Sequence, residues 1–405
     1  MKKMTLVERH FIKRWNKYYS EIDHICFLSK NLYNSTLYRV RQHYSKTGEY
    51  LNYNAVNYLF THEKQVDYCA LPRKVSKNIQ MLVDKNYKSF FQLVKSGSKR
   101  CRLPKYLDKV SGRQVTLYCK QALSFKKPGY VKLSGSNIYV KTDKDAQFVR
   151  LVPKNGYYIV EVGYYKECSE ILPDNSRYAS VDLGVNNLAT LTSNVFKPII
   201  INGKPVKSIN HYYNKKISEY KSTLEKINHR KTSNRLKNIN LKRYNKINDY
   251  FHKSSKFIVN HLVSNGINTL IIGYNEGWKQ DTLMRKDSKQ NFIYIPFLNF
   301  IHQLQYKCSL VGINVIVTEE SYTSKCSFLD QDYIPTYGVD DVLLSITGKR
   351  VKRGLYKNDT GIYINADVNG SYNILRKHLT KNAAWNEKVF SDCVQVCSTP
   401  LVKSF

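Results

Sequence analysis

Tyr178-Ala-Ser-Val-Asp182-Leu-Gly184 decides how this chain is read. A short strand-like run stops on one carboxylate and a turn. Two later segments repeat the device: Asn268-Thr-Leu-Ile-Ile-Gly-Tyr-Asn-Glu276-Gly-Trp278 and Ile362-Tyr-Ile-Asn-Ala-Asp367-Val-Asn369-Gly370. Each acid alone has an ordinary explanation: Asp182 as a turn residue, Glu276 as a solvated strand end, Asp367 as a helix N-cap. Together they carry more weight, because acids are scarce here, 31 Asp and Glu against 65 Lys and Arg. Hard oxygen ligands brought together from such ends can hold two divalent cations against a scissile phosphate.

The surrounding composition suits that chemistry. A net charge of +34 favours a polyanionic partner, since neutralising phosphates releases counterions. A membrane partner is disfavoured: no run is long enough to span a bilayer, and Met1-Lys-Lys-Met-Thr-Leu-Val-Glu-Arg-His lacks the apolar stretch of a signal peptide. The 33 tyrosines interleaved with Lys and Arg suit base stacking and phosphate contact. They also fit the Lys-, Asn- and Ile-rich coding of an AT-rich genome. Nine dispersed cysteines without a Cys-x-x-Cys pair read as reduced intracellular thiols, so no zinc is expected. The expected location is the cytoplasm of a prokaryotic cell, at the nucleoid.

Working outward along the chain, residues 4–14 alternate as a first strand. Ser20–Tyr44 and the segment from Pro72 towards Gly97 have helical spacing, with Ile22, Ile25, Leu28, Leu32 and Val75, Ile79, Leu82 on their apolar faces. From about Gln114 to Tyr165 short strands alternate with turns, and Asn155-Gly156 marks a hairpin. After a polar linker come strands at Tyr178–Leu183, Leu188–Ser193 and Pro198–Ile201. Two long basic helices follow at 209–229 and 233–264, then a strand at Asn268–Gly273, a helix at Pro296–Leu310 and a strand at Ile313–Thr318. Residues 321–360 read as irregular, Asp367–Leu379 as the last helix, and the tail after Lys381 as patternless. The order β-β-β, α, β, α, β, loop, α follows the logic of a mixed α/β RNase H-like fold. Its first and fourth strands are neighbours, so Asp182 and Glu276 converge and Asp367 closes the site.

Here the chain resembles a family. Ala179-Ser-Val-Asp182-Leu-Gly184-Val-Asn-Asn-Leu-Ala189, Gly273-Tyr-Asn-Glu276-Gly-Trp278-Lys-Gln280 and Asn365-Ala-Asp367-Val-Asn369-Gly370-Ser-Tyr-Asn373 look like the three RuvC motifs of TnpB proteins. These are transposon-encoded RNA-guided DNA nucleases related to compact type V CRISPR effectors. Asp249-Tyr-Phe-His-Lys253 and Glu320-Ser-Tyr-Thr-Ser-Lys325-Cys-Ser-Phe-Leu-Asp330 are similar to that family too. The clear resemblance covers residues 178–379.

It implies a RuvC nuclease domain at 176–320, closed by motif III at 361–380. A small β-barrel wedge (1–18 and 105–170) would precede it, with an inserted helical recognition lobe (19–104). Residues 321–360 would be a target-loading insertion without its four-cysteine ribbon, since Cys326 stands alone there, and 381–405 a C-terminal tail. The implied cofactors are two Mg²⁺ ions (or Mn²⁺) on Asp182, Glu276 and Asp367, and a guide RNA. The implied target is double-stranded DNA beside a short flanking motif.

Contacts to nucleic acid are expected from Arg73, Lys74 and Lys77 on the recognition helix. Arg230, Lys231, Arg235, Lys242 and Arg243 on the long helices, Trp278, and Lys349, Arg350, Lys352 and Arg353 in the insertion complete the set. A solvated helix face explains any one of these lysines equally well. Competing with a guided endonuclease are a guided DNA binder or repressor that does not cut, and an unguided RNase H-like resolvase. A pure binder has no chemical use for three acids facing a phosphate.

Overall fold

The structure, a computed structural model, describes the chain apart from residues 1–2, 98–100, 155, 229–232, 276–293 and 341–344. It divides into two compact units, Lys3–Lys166 and Glu167–Phe405.

In the first unit, strand β1 (Lys3–Ile12) is followed by helices α1 (Tyr19–Thr47), α2 (Tyr53–His62), α3 (Val66–Cys69) and α4 (Arg73–Lys95). Strands β2 (Thr116–Cys119), β3 (Leu123–Ser124), β4 (Tyr130–Leu133), β5 (Tyr139–Lys141), β6 (Ala146–Lys154) and β7 (Tyr157–Glu167) come next. One sheet runs β1-β7-β6-β2 and a smaller one β3-β4-β5, so the helices interrupt a β unit whose first strand is N-terminal. The expected hairpin pairs Lys154 with Tyr157, although Asn155 itself lies outside the described residues. Ile22, Ile25 and Leu32 of α1 and Val75, Ile79 and Val83 of α4 are buried in one core. Arg73 and Lys74 are exposed on the other face of α4, and Lys77 is half-buried.

Helix α1 is also tied down by charge. Arg113 donates to both oxygens of Asp23, at 2.9 and 2.8 Å, and the Tyr158 hydroxyl donates to the same carboxylate. The Arg113 hydrogen bonds hold the Asp23 carboxyl below its ordinary pKa, against the opposing pull of burial. A depressed carboxylate stabilises the fold above its unfolded pKa near 4, and that contribution disappears as pH falls through the lower folded value. Asp23→Asn is therefore expected to lower stability at pH 7 by about 1 kcal/mol, a figure reduced for partial exposure. The gap from wild type should shrink in urea titrations as pH drops below 4.

The second unit carries the site. Strands β8 (Tyr178–Leu183), β9 (Asn187–Ser193) and β10 (Ile199–Asn202) lead into helices α5 (Lys204–Asn228) and α6 (Asn234–Ser264). Then follow β11 (Thr269–Gly273), α7 (Phe297–Ser309), β12 (Asn314–Thr318), β13 (Lys349–Lys352), β14 (Leu355–Lys357) and β15 (Tyr363–Asn365). The unit ends with α8 (Ala366–Lys381), α9 (Glu387–Val396) and β16 (Leu401–Lys403). The main sheet runs β12-β11-β8-β9-β10-β16, with β9 antiparallel to both neighbours and β11 parallel to β8 and to β12. No helix among the described residues is long and apolar enough to cross a membrane.

Both faces of this sheet are covered, which is why its strands read as near-continuous apolar runs. Ala179, Val181 and Leu183 of β8 join Leu270 and Ile272 of β11 in one core, with Ile258 of α6 and Phe300 and Leu304 of α7. Tyr178 and Ile271 face the other way, into a core with Val368, Tyr372, Ile374 and Leu375 of α8. Side chains alternate along a strand, so Tyr178, Ser180 and Asp182 all point to the α8 side. The hydroxyl of Ser180 confirms the register: it donates to Ser371 O of α8 at 2.7 Å.

Two readings from the sequence need correction. The segment after Lys381 is not patternless: it forms α9, which buries Val389 and Cys393, and then β16, which pairs in parallel with β10. Residues 321–360 are not wholly irregular either, because β13, β14 and β15 form a small antiparallel sheet. Asp330 and Asp332 hold this region together. Asp332 accepts from Ser327 N (2.6 Å) and the Thr347 hydroxyl (2.7 Å). Asp330 accepts from the Asn358 side chain and Asp359 N, both at 3.0 Å.

Candidate active site

Asp182 reaches the site because it is the last residue of β8 facing α8. Asp367 reaches it from the opposite direction. Asn365 caps α8, accepting from Asp367 N (3.0 Å) and Val368 N (3.2 Å), which fixes Asp367 in the first turn. There its charge also complements the helix dipole. One helical face then carries Asp367, Gly370, Ser371 and Ile374, spaced three, four and seven residues apart. Ser371 bonds the hydroxyls of Ser180 (3.2 Å) and Thr192 (2.9 Å), pinning this face to β8 and β9.

Gly370 makes the approach possible. A Cβ there would stand 3.0 Å from Asp182 Oδ2. Gly273, beside Asp182 on β11, leaves similar space: its Cβ would meet Glu320 Oε2 at 2.4 Å and Ile374 Cδ1 at 2.5 Å. Two acids far apart in sequence, plus Glu320, thus gather at one end of the sheet. Their electrostatics register it. Burial first, then the charges of Glu320 and Asp367, push the pKa of Asp182 well above the ordinary carboxylate range, with Arg350 partly offsetting them. Burial and Glu319 raise Glu320 to about 7, against the pull of Lys377.

Asp367 has partners of its own. Asn187 donates to its Oδ2 at 2.6 Å, and Arg350 of β13 reaches its Oδ1 at 3.3 Å while also donating to Arg353 O at 2.7 Å. Lys349, Lys352 and Arg353 are exposed on the same hairpin. Glu276 and Trp278, the centre of the second motif, lie outside the described residues, as do Arg230 and Lys231. Among the described residues no group of three or more His, Cys, Asp or Glu is placed so that it could hold a metal ion. The donor set nonetheless fits one: carboxylate oxygens are hard ligands, and Glu320 Oε2 is shut off from solvent with no hydrogen-bond partner among the described residues.

The remaining basic residues sit on α6. Arg235 stacks over Tyr220 at 4.1 Å, and Arg243 lies 4.7 Å from the Tyr213 ring and 5.4 Å from that of Tyr294. With Lys242 they line a cavity of about 780 Å³ between α5 and α6. Arg243 is engaged internally as well, donating to Asn210 Oδ1 and Tyr294 O at 2.7 Å each.

Sequence reasoning assigned no role to Asn187, Glu320, Asn369 or Asn373. The two asparagines of α8 hold the turn after β12: both donate to Cys326 O, at 2.8 and 2.7 Å, and Asn373 also donates to Thr323 O. The spacing Asn369-x-x-x-Asn373 was the available signal, since buried amides one turn apart need partners.

With this geometry in place, the comparisons with known proteins bear on it directly. Residues 161–279 match the OrfB_IS605 family model, described as "Probable transposase". Residues 297–374 match the Cas12f1-like TNB domain. The resemblance to TnpB proteins holds on both segments. The first match includes Asp182 and the second Asp367. No curated protein matches the chain. Among solved structures, a Cas12f1–sgRNA–target DNA complex is 14% identical and covers 91% of this chain and 98% of its own, with a TM-score of 0.34. The mini-RNA-guided endonuclease CRISPR-Cas_phi3 is 12% identical over 92% of each chain, with a TM-score of 0.35. The Alicyclobacillus acidoterrestris C2c1 complex with single-guide RNA is 8% identical over 90% of this chain and 70% of its own, with a TM-score of 0.38.

Proposed function

We propose that this chain is an RNA-guided, divalent-metal-dependent DNA endonuclease of a mobile element, with an RNase H-like RuvC domain in its second unit. The observation that carries the reading is the meeting of Asp182, at the end of β8, with the first turn of α8, where Gly370 leaves room for the carboxylate. The two family models support it, since their matches span Asp182 and Gly370 themselves. Asp182, Glu276 and Asp367 would hold two Mg²⁺ ions, which when bound supply charge stabilisation at the scissile phosphate. The chain's own part is positional. Asn365 and Asn187 orient Asp367, Ser371 fixes α8 on the sheet, and Arg350 brings a cation to the edge of the site.

The exposed Arg73 and Lys74, the Tyr-lined groove holding Arg235 and Lys242, and the Lys349–Arg353 hairpin would follow guide and target backbones. Base pairing with the guide would supply sequence specificity. The wedge, recognition-lobe and target-loading assignments belong to this same reading, as does a prokaryotic cytoplasmic location.

The test is purification of the full chain from cells carrying its flanking genomic DNA, sequencing of the bound RNA, and incubation with matched duplex and Mg²⁺. A discrete RNA and metal-dependent cutting support the proposal. Bound RNA without cutting leaves a guided binder in its place, and cutting without bound RNA leaves an unguided resolvase.

Gly370 supplies a finer check. Gly370→Ala improves the helix interior by up to about 1 kcal/mol but crowds Asp182 Oδ2. Its urea midpoint should hold or rise, while cleavage falls roughly tenfold, equivalent to about 1.4 kcal/mol at the barrier.

A further inference from the structure

We propose that Glu320 is a carboxylate ligand of the divalent-cation site, with Asp182 and Asp367. The inference rests on the two-metal reading above and extends it to a residue outside the three motifs. Strands β11 and β12 are parallel neighbours in register, Gly273 opposite Thr318, so whatever follows either strand emerges at the same end of the sheet. Glu320 follows β12 by two residues, at the sheet end where the parallel strand β8 carries Asp182.

The backbone there is fixed rather than loose. Tyr274 N donates to Thr318 O at 2.9 Å, and Glu320 N donates to the Asn275 side chain at 3.0 Å, tying Glu320 to the residue before Glu276. Thr323 closes the turn by donating its hydroxyl to Glu320 O at 2.9 Å. Lys377, the nearest buried cation, is taken by Glu319, Ser321 O and Pro335 O rather than by Glu320.

The side chain then lies over Gly273, the residue beside Asp182 in the sheet. Its Oε2 is out of contact with solvent and has no hydrogen-bond partner among the described residues. A buried carboxylate oxygen without a donor is costly. Near enough to Asp182 for the two charges to repel, it makes chemical sense when a cation stands between them. An ordinary packing role would call for a donor at Oε2.

The experiment is Mn²⁺ titration of the full-length protein, followed by electron paramagnetic resonance, for wild type, Asp182→Asn and Glu320→Gln. Binding by wild type, loss in Asp182→Asn, and affinity weakened roughly ten- to a hundredfold in Glu320→Gln support the proposal. The metal-free Glu320→Gln protein should melt no lower than wild type, because Oε2 has no bond to lose. Wild-type affinity in Glu320→Gln together with loss in Asp182→Asn overturns the role of Glu320 and leaves the nuclease reading standing. No Mn²⁺ bound by wild type, or undiminished binding in Asp182→Asn, overturns both. If Glu320→Gln fails to fold, Glu320→Asp keeps the charge and shortens its reach, and unchanged Mn²⁺ affinity there overturns the proposal.

Discussion

On the proposed function, Asp182→Asn is expected to eliminate metal-dependent DNA cleavage, a loss of roughly a thousandfold or more, or about 4 kcal/mol at the barrier. The full-length variant is expected still to co-purify with RNA. The two results separate because Asp182 lies at the end of β8 facing α8, on the sheet face opposite α6 and its exposed cations. The substitution removes a charge that burial and two neighbouring carboxylates already oppose. Metal-free Asp182→Asn should therefore be at least as stable as wild type in thermal melts. A variant that unfolds, or one that cuts at the wild-type rate, would contradict the assignment. The expected pattern is a folded, RNA-loaded protein that has lost only its chemistry.

The largest loss of stability is expected from Ser371→Leu. This hydroxyl sits where α8 meets β8 and β9, bonded to Ser180, Thr192 and the Thr190 carbonyl. A leucine forces its bulk into a closed interface and removes a partner from two buried hydroxyls. Overpacking and lost hydrogen bonds together should cost about 3 kcal/mol, read as a lower urea midpoint with an unchanged slope. Because the same contact sets where Asp367 stands, cleavage should fall with it. Ser371→Ala, which only deletes the hydroxyl, should lose about 1 kcal/mol.

Most of the elements were legible because the physics that forms them leaves a period in the sequence. Strands β8, β9 and β11 are buried and paired on both sides and read as apolar runs, as does the edge strand β12; α1, α4 and α7 bury one stripe each. The elements that escaped notice bury too little to leave a pattern. Helix α2 buries only Val56 and Phe60, and α9 only Val389 and Cys393. Strand β16 buries no side chain at all and is held by backbone pairing alone.

The site divides in the same way. Asp182 and Asp367 end recognisable elements, and alternation along β8 with helical spacing along α8 is enough to turn them towards each other. Glu320 had no such signal, because its place depends on the lateral register of β11 against β12. Arg350 was legible as a basic residue. Its reach to Asp367 follows from the β13–β14 hairpin, which lies in a polar segment without periodicity.

The long-range closure of the main sheet has a consequence for biosynthesis. β10 leaves the ribosome about 200 residues ahead of its parallel partner β16, and α8, which covers one whole face of β8 and β9, emerges almost as late. At translation speeds of roughly 5–20 residues per second, that hydroxyl-lined face waits on the order of 10–40 seconds for its cover. The second unit therefore completes its sheet and buries its interior hydroxyls only after synthesis is nearly finished.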